Sequence, residues 1–299
     1  MCSDTKSNSQ INLKGVDIRI RKNSREVNCT IWNNPNSTKV LIVSPAIGVS
    51  RRFYKAIATY FFNLKYSVIS FDYYGMIDRK NLREEKIRLC DWGFKDIDSI
   101  IEYATKQFSK QELYFLGHSI AGQVFPLAKR SNTIKAAFFV ASQNVSNTNW
   151  SGFSKFKVNV FWHLVIPFCI WVFSHLPAMA YGGKYDLHKS IALQWAKWGK
   201  SKLGILSQVP KALSRYKNLN VPTKFLSFSD DDILAPLKSV EHLFESYGTP
   251  FKTHKHIHPE EIGMKSIGHF NFFKKECDLL WPEVDSWFKH VDNSSAAQN

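Results

Sequence analysis

Four short runs of almost unbroken apolar residues constrain this chain more than any other feature. They are VLIVS at 40–44, SVISF at 67–71, YFLG at 114–117 and AAFFV at 136–140. A strand with one wet face alternates apolar and polar residues, whereas a strand covered on both faces reads as a continuous apolar run. Strand patterns recur at 17–20, 26–32, 39–44, 67–71, 113–116, 135–140, 224–228 and 252–258. Helical patterns lie between them at 53–63, 91–108, 120–128, 237–247 and 270–290. This alternation predicts an α/β protein with a mostly parallel eight-stranded sheet flanked by helices. The first two strands, joined around Asn23–Ser24 with no room for a helix, are expected to pair antiparallel.

One segment, 146–204, breaks the rhythm. It has no strand pattern, holds five of the nine tryptophans, and carries seven lysines against one aspartate, 7 − 1 = +6. Its apolar centre at 158–173 is interrupted by Asn159, His163 and Pro167 and falls short of the ~20 residues a membrane span needs. The segment is therefore expected to be a helical lid inserted over the sheet, with apolar substrate below and weak contact with an anionic membrane surface above. The core then comprises 11–145 and 205–292, with flexible termini at 1–10 and 293–299.

The chemistry concentrates at Phe115–Gly122, Phe-Leu-Gly-His-Ser-Ile-Ala-Gly. This reads as a strand end, a sharp turn with Ser119 at its tip, and a helix start. Such an elbow strains the serine backbone and requires small residues two before and two after it, here Gly117 and Ala121. A serine hydroxyl needs a base, and the base needs an orienting acid. After the strand at 224–228 come Asp230, Asp231 and Asp232, four residues before Pro236 in the last case. Asp232 suits an acid in the turn before a helix; Asp231 is the runner-up, and any of the three could merely cap that helix. His269, beyond the last strand and preceded by Gly268, is the expected base. The backbone N–H groups of Ile120 and Ile47 are the expected oxyanion donors, Pro45 having none to offer. His118 is read as a support residue beside the elbow.

Other chemistries find less support. The formal charge is +15, yet the basic residues are dispersed and no nucleic-acid-binding signature is legible. His254, His256 and His258 alternate as metal ligands on a strand would, without a carboxylate or cysteine cluster to complete a site. No metal or organic cofactor is called for. Five scattered cysteines and the polar first ten residues, without an apolar core, point to free thiols in the cytoplasm.

The chain resembles the α/β-hydrolase superfamily, in its serine-aminopeptidase-like or monoacylglycerol-lipase-like group, and within it a mainly bacterial subfamily of uncharacterised predicted hydrolases. The resemblance runs from Pro45-Ala46-Ile47-Gly48-Val49 and Arg52-Phe53-Tyr54 through Phe71-Asp72-Tyr73-Tyr74-Gly75 and Asp91-Trp92-Gly93 to the elbow. It continues in Gln194-Trp195-Ala196, the aspartate turn, Ile267-Gly268-His269-Phe270 and Leu280-Trp281-Pro282. It implies Ser119 as nucleophile, His269 as base and Asp232 as acid. With the motifs above, the expected activity is that of a serine hydrolase of carboxylic esters with an apolar acyl group; the alternative is a non-catalytic or weakly active protein of the same fold that binds a lipid surface through the basic lid. Peptidase, thioesterase and acyltransferase chemistry use the same machinery. Ala121 stands where glycine is more usual, and Met76-Ile77-Asp78-Arg79-Lys80 replaces a Gly-rich continuation.

Overall fold

The computed structural model describes residues 15–22, 25–77 and 87–296. The Asn23–Ser24 joint, the first ten residues, 297–299 and Asp78–Lys80 lie outside the described residues. Eight strands form one sheet in the order β1-β2-β4-β3-β5-β6-β9-β10. They are β1 (Val16–Lys22), β2 (Arg25–Trp32), β3 (Lys39–Ser44), β4 (Tyr66–Phe71), β5 (Glu112–His118), β6 (Ala136–Val140), β9 (Thr223–Phe228) and β10 (Lys252–Ile257). The pairs β1–β2 and β2–β4 are antiparallel, and every other pair is parallel.

The four apolar runs behave as their composition requires. Every residue of β4 and β6 is buried, and only the first residue of β3 and of β5 reaches solvent. The two edge strands, β1 and β10, alternate instead, which leaves polar side chains on their open faces. Helices α1 (Lys55–Asn63), α2 (Asp98–Gln107) and α3 (Ile120–Val124) connect the central strands. A π-helical stretch, Trp92–Ile97, leads into α2. There the Trp92 ring stacks on Tyr73 at 4.4 Å, and its Nε1–H donates to the Tyr74 carbonyl at 3.1 Å. Gly93 lies so close to the Val124 carbonyl that any Cβ would collide with it. The Asp-Trp-Gly motif thus fixes packing behind the elbow.

The segment between β6 and β9 holds α4 (Gly152–Val160), α5 (Ile166–Phe173), α6 (Lys189–Gly199), α7 (Ile205–Gln208) and α8 (Ala212–Lys217). A π turn at Phe161–Val165 joins α4 to α5, making a continuous helix of 22 residues, longer than the run read at 158–173. Pro167 explains the turn: it lacks an N–H and its ring crowds the carbonyl four residues back, so the helix widens there. The segment is not strand-free, because β7 (His175–Leu176) and β8 (Leu187–His188) form a small antiparallel ladder. Two-residue strands carry no alternation for sequence to show.

Near the C-terminus, α9 (Leu237–Ser246) falls where expected, but 270–290 is not one helix. The 3-10 turns Asn271–Phe273 and Lys275–Leu280 precede α10 (Pro282–Ala296), which begins at Pro282 and runs four residues past the expected core boundary of 292. Proline fits the first turn, where its missing N–H has no partner to lose, and resets the helix there.

Candidate active site

Ser119 sits between the end of β5 and the start of α3 with φ 55° and ψ −111°. A non-glycine residue in that region costs on the order of 1–3 kcal/mol and persists only where its surroundings hold it. Here the Ser119 N–H donates to the Val140 carbonyl at 3.0 Å, tying the turn to β6. A Cβ on Gly117 would lie 2.7 Å from the Phe139 ring and 3.0 Å from the Ala121 Cβ. Both small residues are therefore steric requirements of the turn, and alanine satisfies the second.

Three buried side chains meet in a line. His269 Nε2 lies 2.9 Å from Ser119 Oγ, and His269 Nδ1 lies 2.6 Å from Asp231 Oδ2. Ser119 is 3% exposed, Asp231 5% and His269 8%. An ionised carboxylate only accepts, so Nδ1 carries the ring proton and Nε2 is left free to accept from the serine hydroxyl.

The carboxylate on His269 is that of Asp231, which corrects the choice of Asp232. The Asp231 N–H donates to the Phe228 carbonyl at 3.2 Å and Oδ1 accepts from the Ala235 N–H at 3.2 Å, turning the side chain inward. Asp232, the next residue round the turn, points to solvent. Asp230 has a third role. It accepts from the Ser266 hydroxyl at 2.8 Å and the N–H groups of Ile267 at 2.8 Å and Gly268 at 3.0 Å. Partial burial works against its charge, but the Gly268 N–H, the Ser266 hydroxyl and the Ile267 N–H outweigh that and hold its carboxyl below the ordinary value. Asp230 thereby clamps the loop that presents His269.

Residues Ala46–Val49 form a β-turn, with the Val49 N–H on the Ala46 carbonyl at 3.2 Å and Gly48 at φ 72°. That positive φ at the third position of the turn is the one glycine supplies. Among the described residues neither the Ile47 nor the Ile120 N–H donates to a protein acceptor. Beneath this turn runs a buried chain that sequence reading found only in part. The Ala46 N–H donates to Tyr54 Oη at 2.8 Å, and Tyr54 Oη contacts His118 Nδ1 at 2.8 Å. His118 Nε2 contacts the His269 carbonyl at 2.8 Å. Since a carbonyl only accepts, Nε2 must carry the proton and Nδ1 must accept from the tyrosine. Burial, then the nearby His269, drives the His118 pKa well below its ordinary value. His118 supports the elbow as a neutral ring, and Tyr54 is its partner.

A cavity of about 280 Å³ opens beside the acid turn. Val158, Phe161, Trp195 and Tyr181 of the inserted segment line it together with Gln143 and Leu234. The Gln143 amide donates to the Leu234 carbonyl at 2.9 Å, and the Trp150 Nε1–H to the Ile233 carbonyl at 3.0 Å. The segment's base is thus tied to residues directly after Asp231. On β10, His254 Nε2 and His256 Nδ1 both engage Ser227 Oγ, at 2.8 and 2.7 Å. Among the described residues no group of three or more His, Cys, Asp or Glu side chains is placed to hold a metal.

No protein-family model matches the chain, and no curated protein matches it by sequence. Solved structures do. A soluble variant of the monoglyceride lipase of Saccharomyces cerevisiae, in complex with a substrate analogue, superposes with a TM-score of 0.67 at 11% identity, over 93% of this chain and 95% of that one. Est1E from Butyrivibrio proteoclasticus, with ferulic acid bound, gives 0.61 at 14% identity over 92% and 99%. The monoacylglycerol lipase of Paleococcus ferrophilus gives 0.58 at 13% over 89% and 100%. The chain has the α/β-hydrolase fold. In an α/β-hydrolase sheet, ligands gather at the carboxyl ends of the parallel strands. Ser119, Asp231 and the Ala46–Val49 turn follow β5, β9 and β3 at that end.

Proposed function

We propose that this protein is a serine hydrolase that cleaves small carboxylic esters with an apolar acyl group. The observation that carries this reading is the unbroken Ser119–His269–Asp231 line at 2.9 and 2.6 Å. Ser119 Oγ attacks the ester carbonyl carbon as its proton passes to His269 Nε2, and Asp231 stabilises the imidazolium so formed. The N–H groups of Ile47 and Ile120 receive the oxyanion. The C–O bond to the alcohol breaks as His269 returns the proton to the leaving oxygen, giving an acyl-enzyme. Water then attacks under the same base, releasing the acid and restoring Ser119. The acyl group occupies the cavity walled by Val158, Phe161 and Trp195, where burying each CH₂ contributes about 0.8 kcal/mol. The segment around 146–204 serves as lid.

Two further observations support the reading. Structures of the same fold include named lipases and a named esterase. A scaffold that only bound lipid would have no use for a strained serine in contact with a base. Among the described residues Cys29, Cys90, Cys169 and Cys277 are free and buried, which suits a cytoplasmic place of action. The test is labelling with a fluorophosphonate probe, wild type beside Ser119→Ala. Labelling of the wild type alone is expected; an unlabelled, folded wild type would sink the proposal.

A further inference from the structure

The helix Gly152–Phe173 is apolar on two opposite faces, and only one of them packs on protein. Val158, Trp162, Ile166 and Cys169 turn inward and are at most 8% exposed. The Trp162 ring meets Trp195 of α6 at 5.0 Å, and Gly199 lies so close to the same indole that a Cβ there would collide with it. On the other side Phe153 is 70% exposed, Phe156 62%, Leu164 63%, Phe168 58% and Trp171 81%. These residues are spaced three, eight, four and three apart, which keeps them on one side of a helix. They form an aromatic pair at each end, Phe153–Phe156 at 6.1 Å and Phe168–Trp171 at 6.3 Å. A contiguous apolar stripe of this kind marks an interaction surface.

The charge of the inserted segment identifies the partner. All seven lysines between 146 and 204 are exposed, and a single aspartate accompanies them. The Lys157 ammonium rests 4.7 Å from the Phe153 ring centre, an arrangement in which the stem covers apolar surface and the head stays wet. A second copy docking by two-fold symmetry would set these lysines against their own image, at a cost in repulsion. An anionic lipid surface instead accepts both features, the aromatics among its acyl chains and the lysines among its head groups.

By length and composition alone the helix could also cross a bilayer. Its contacts argue otherwise. Spanning would strip Trp162 and Ile166 from the protein and carry Asn159, whose Oδ1 accepts from the Asn147 amide at 2.7 Å, into hydrocarbon.

We infer that the Gly152–Phe173 helix lies flat in the interface of an anionic membrane, with Phe153, Phe156, Leu164, Phe168 and Trp171 inserted. The inner face of this helix supplies Val158 and Phe161 to the cavity, so the element that touches lipid also walls it. The inference concerns the surface and does not depend on the hydrolase reading. Its test is therefore run in Ser119→Ala protein, which keeps the two failures apart.

The experiment is co-sedimentation of the full chain with phosphatidylcholine vesicles containing 30% phosphatidylserine, and with pure phosphatidylcholine vesicles, at low salt. Binding to the anionic vesicles is expected, weaker by about ten-fold or more on neutral ones. Phe168→Asp/Trp171→Asp, both remote from the cavity lining, should reduce anionic binding by about ten-fold or more. Lys157→Glu, at the lysine that sits beside the Phe153 ring, should weaken it about five-fold. Absence of binding to anionic vesicles overturns the inference. So does binding undiminished in the double variant, or a concentration-dependent dimer that the double variant dissolves without any vesicle binding.

Discussion

The elbow region and the Gly152–Phe173 helix are both rich in apolar residues, yet they use them in opposite ways. Around Ser119 every apolar side chain of β5, β6 and α3 is buried against protein, and the result is a backbone held in a conformation it would not adopt alone. Along the inserted helix only a minority of the apolar surface is buried, and the remainder faces outward. Apolar content therefore says little until each residue is assigned a covering partner. In the core that partner is the chain itself, and on the helix the chain covers only the inner face.

The comparison breaks first if the core site does not act as a unit. Asp231→Asn leaves the side chain in place but removes the charge that fixes the His269 tautomer. We expect kcat to fall by about 10⁴-fold, with thermal stability little changed. Asp232→Asn, one residue away in solvent, should stay within about two-fold, since it touches nothing in the line. Ester-turnover assays of the two variants side by side decide between neighbouring aspartates.

A second test uses one residue type on the two faces of one helix. Trp162 is 4% exposed and Trp171 81%. Trp162→Ala should cost about 3–5 kcal/mol in urea unfolding, the usual loss for emptying a buried aromatic site. Trp171→Ala should change stability by about 0.5 kcal/mol or less. Equal losses would mean that the outer face is covered by the protein itself, and the contrast between the regions would collapse.

Asp230 sharpens the picture inside the core. Its carboxylate holds the Ser266–Gly268 loop without touching the His269 ring. Asp230→Ala should lower kcat by roughly 10–10²-fold while KM stays near its wild-type value, because a misplaced base slows the chemical step more than binding. Asp230→Glu should restore part of the loss. A fall in stability with normal kcat in the folded fraction would reduce Asp230 to a structural tie.

These distinctions show where sequence reading succeeds and where it stops. All eight strands of the sheet were legible, the central ones because strands buried on both faces cannot hide their continuous apolar runs, and the edge strands β1 and β10 by their alternation. Ser119 was legible because the elbow demands small residues at fixed offsets, and His269 because only one loop beyond the last strand carried a histidine after a glycine. The acid was not resolved, since three consecutive aspartates differ only in how a turn rotates them; the Asp231–Phe228 backbone bond does that. The aromatic stretch at 270–290 imitated a helix because 3-10 turns also bury residues three apart, and Pro282 alone betrayed the break. Tyr54 entered only as part of the Arg52-Phe53-Tyr54 match, without a role, as a buried tyrosine in a helix-entry turn is ordinary until its hydroxyl is seen between Ala46 and His118.

The smallest expected effect concerns that last group. His118 is neutral in the fold, held below its ordinary pKa by burial and by His269. In the unfolded chain it takes up a proton below about pH 6.5, so there the unfolded state binds more protons than the folded one. Stability from this group is fully present above about pH 6.5 and is lost as pH falls, by about 1.4 kcal/mol per pH unit. Urea unfolding of wild type and His118→Gln at pH 7, 6 and 5 isolates it, since other titrations are common to both proteins. The wild-type acid limb should be the steeper of the two by about that slope. Parallel limbs would mean that His118 takes up its proton within the fold, and that the Tyr54–His118–His269 chain does not confine it to the neutral form.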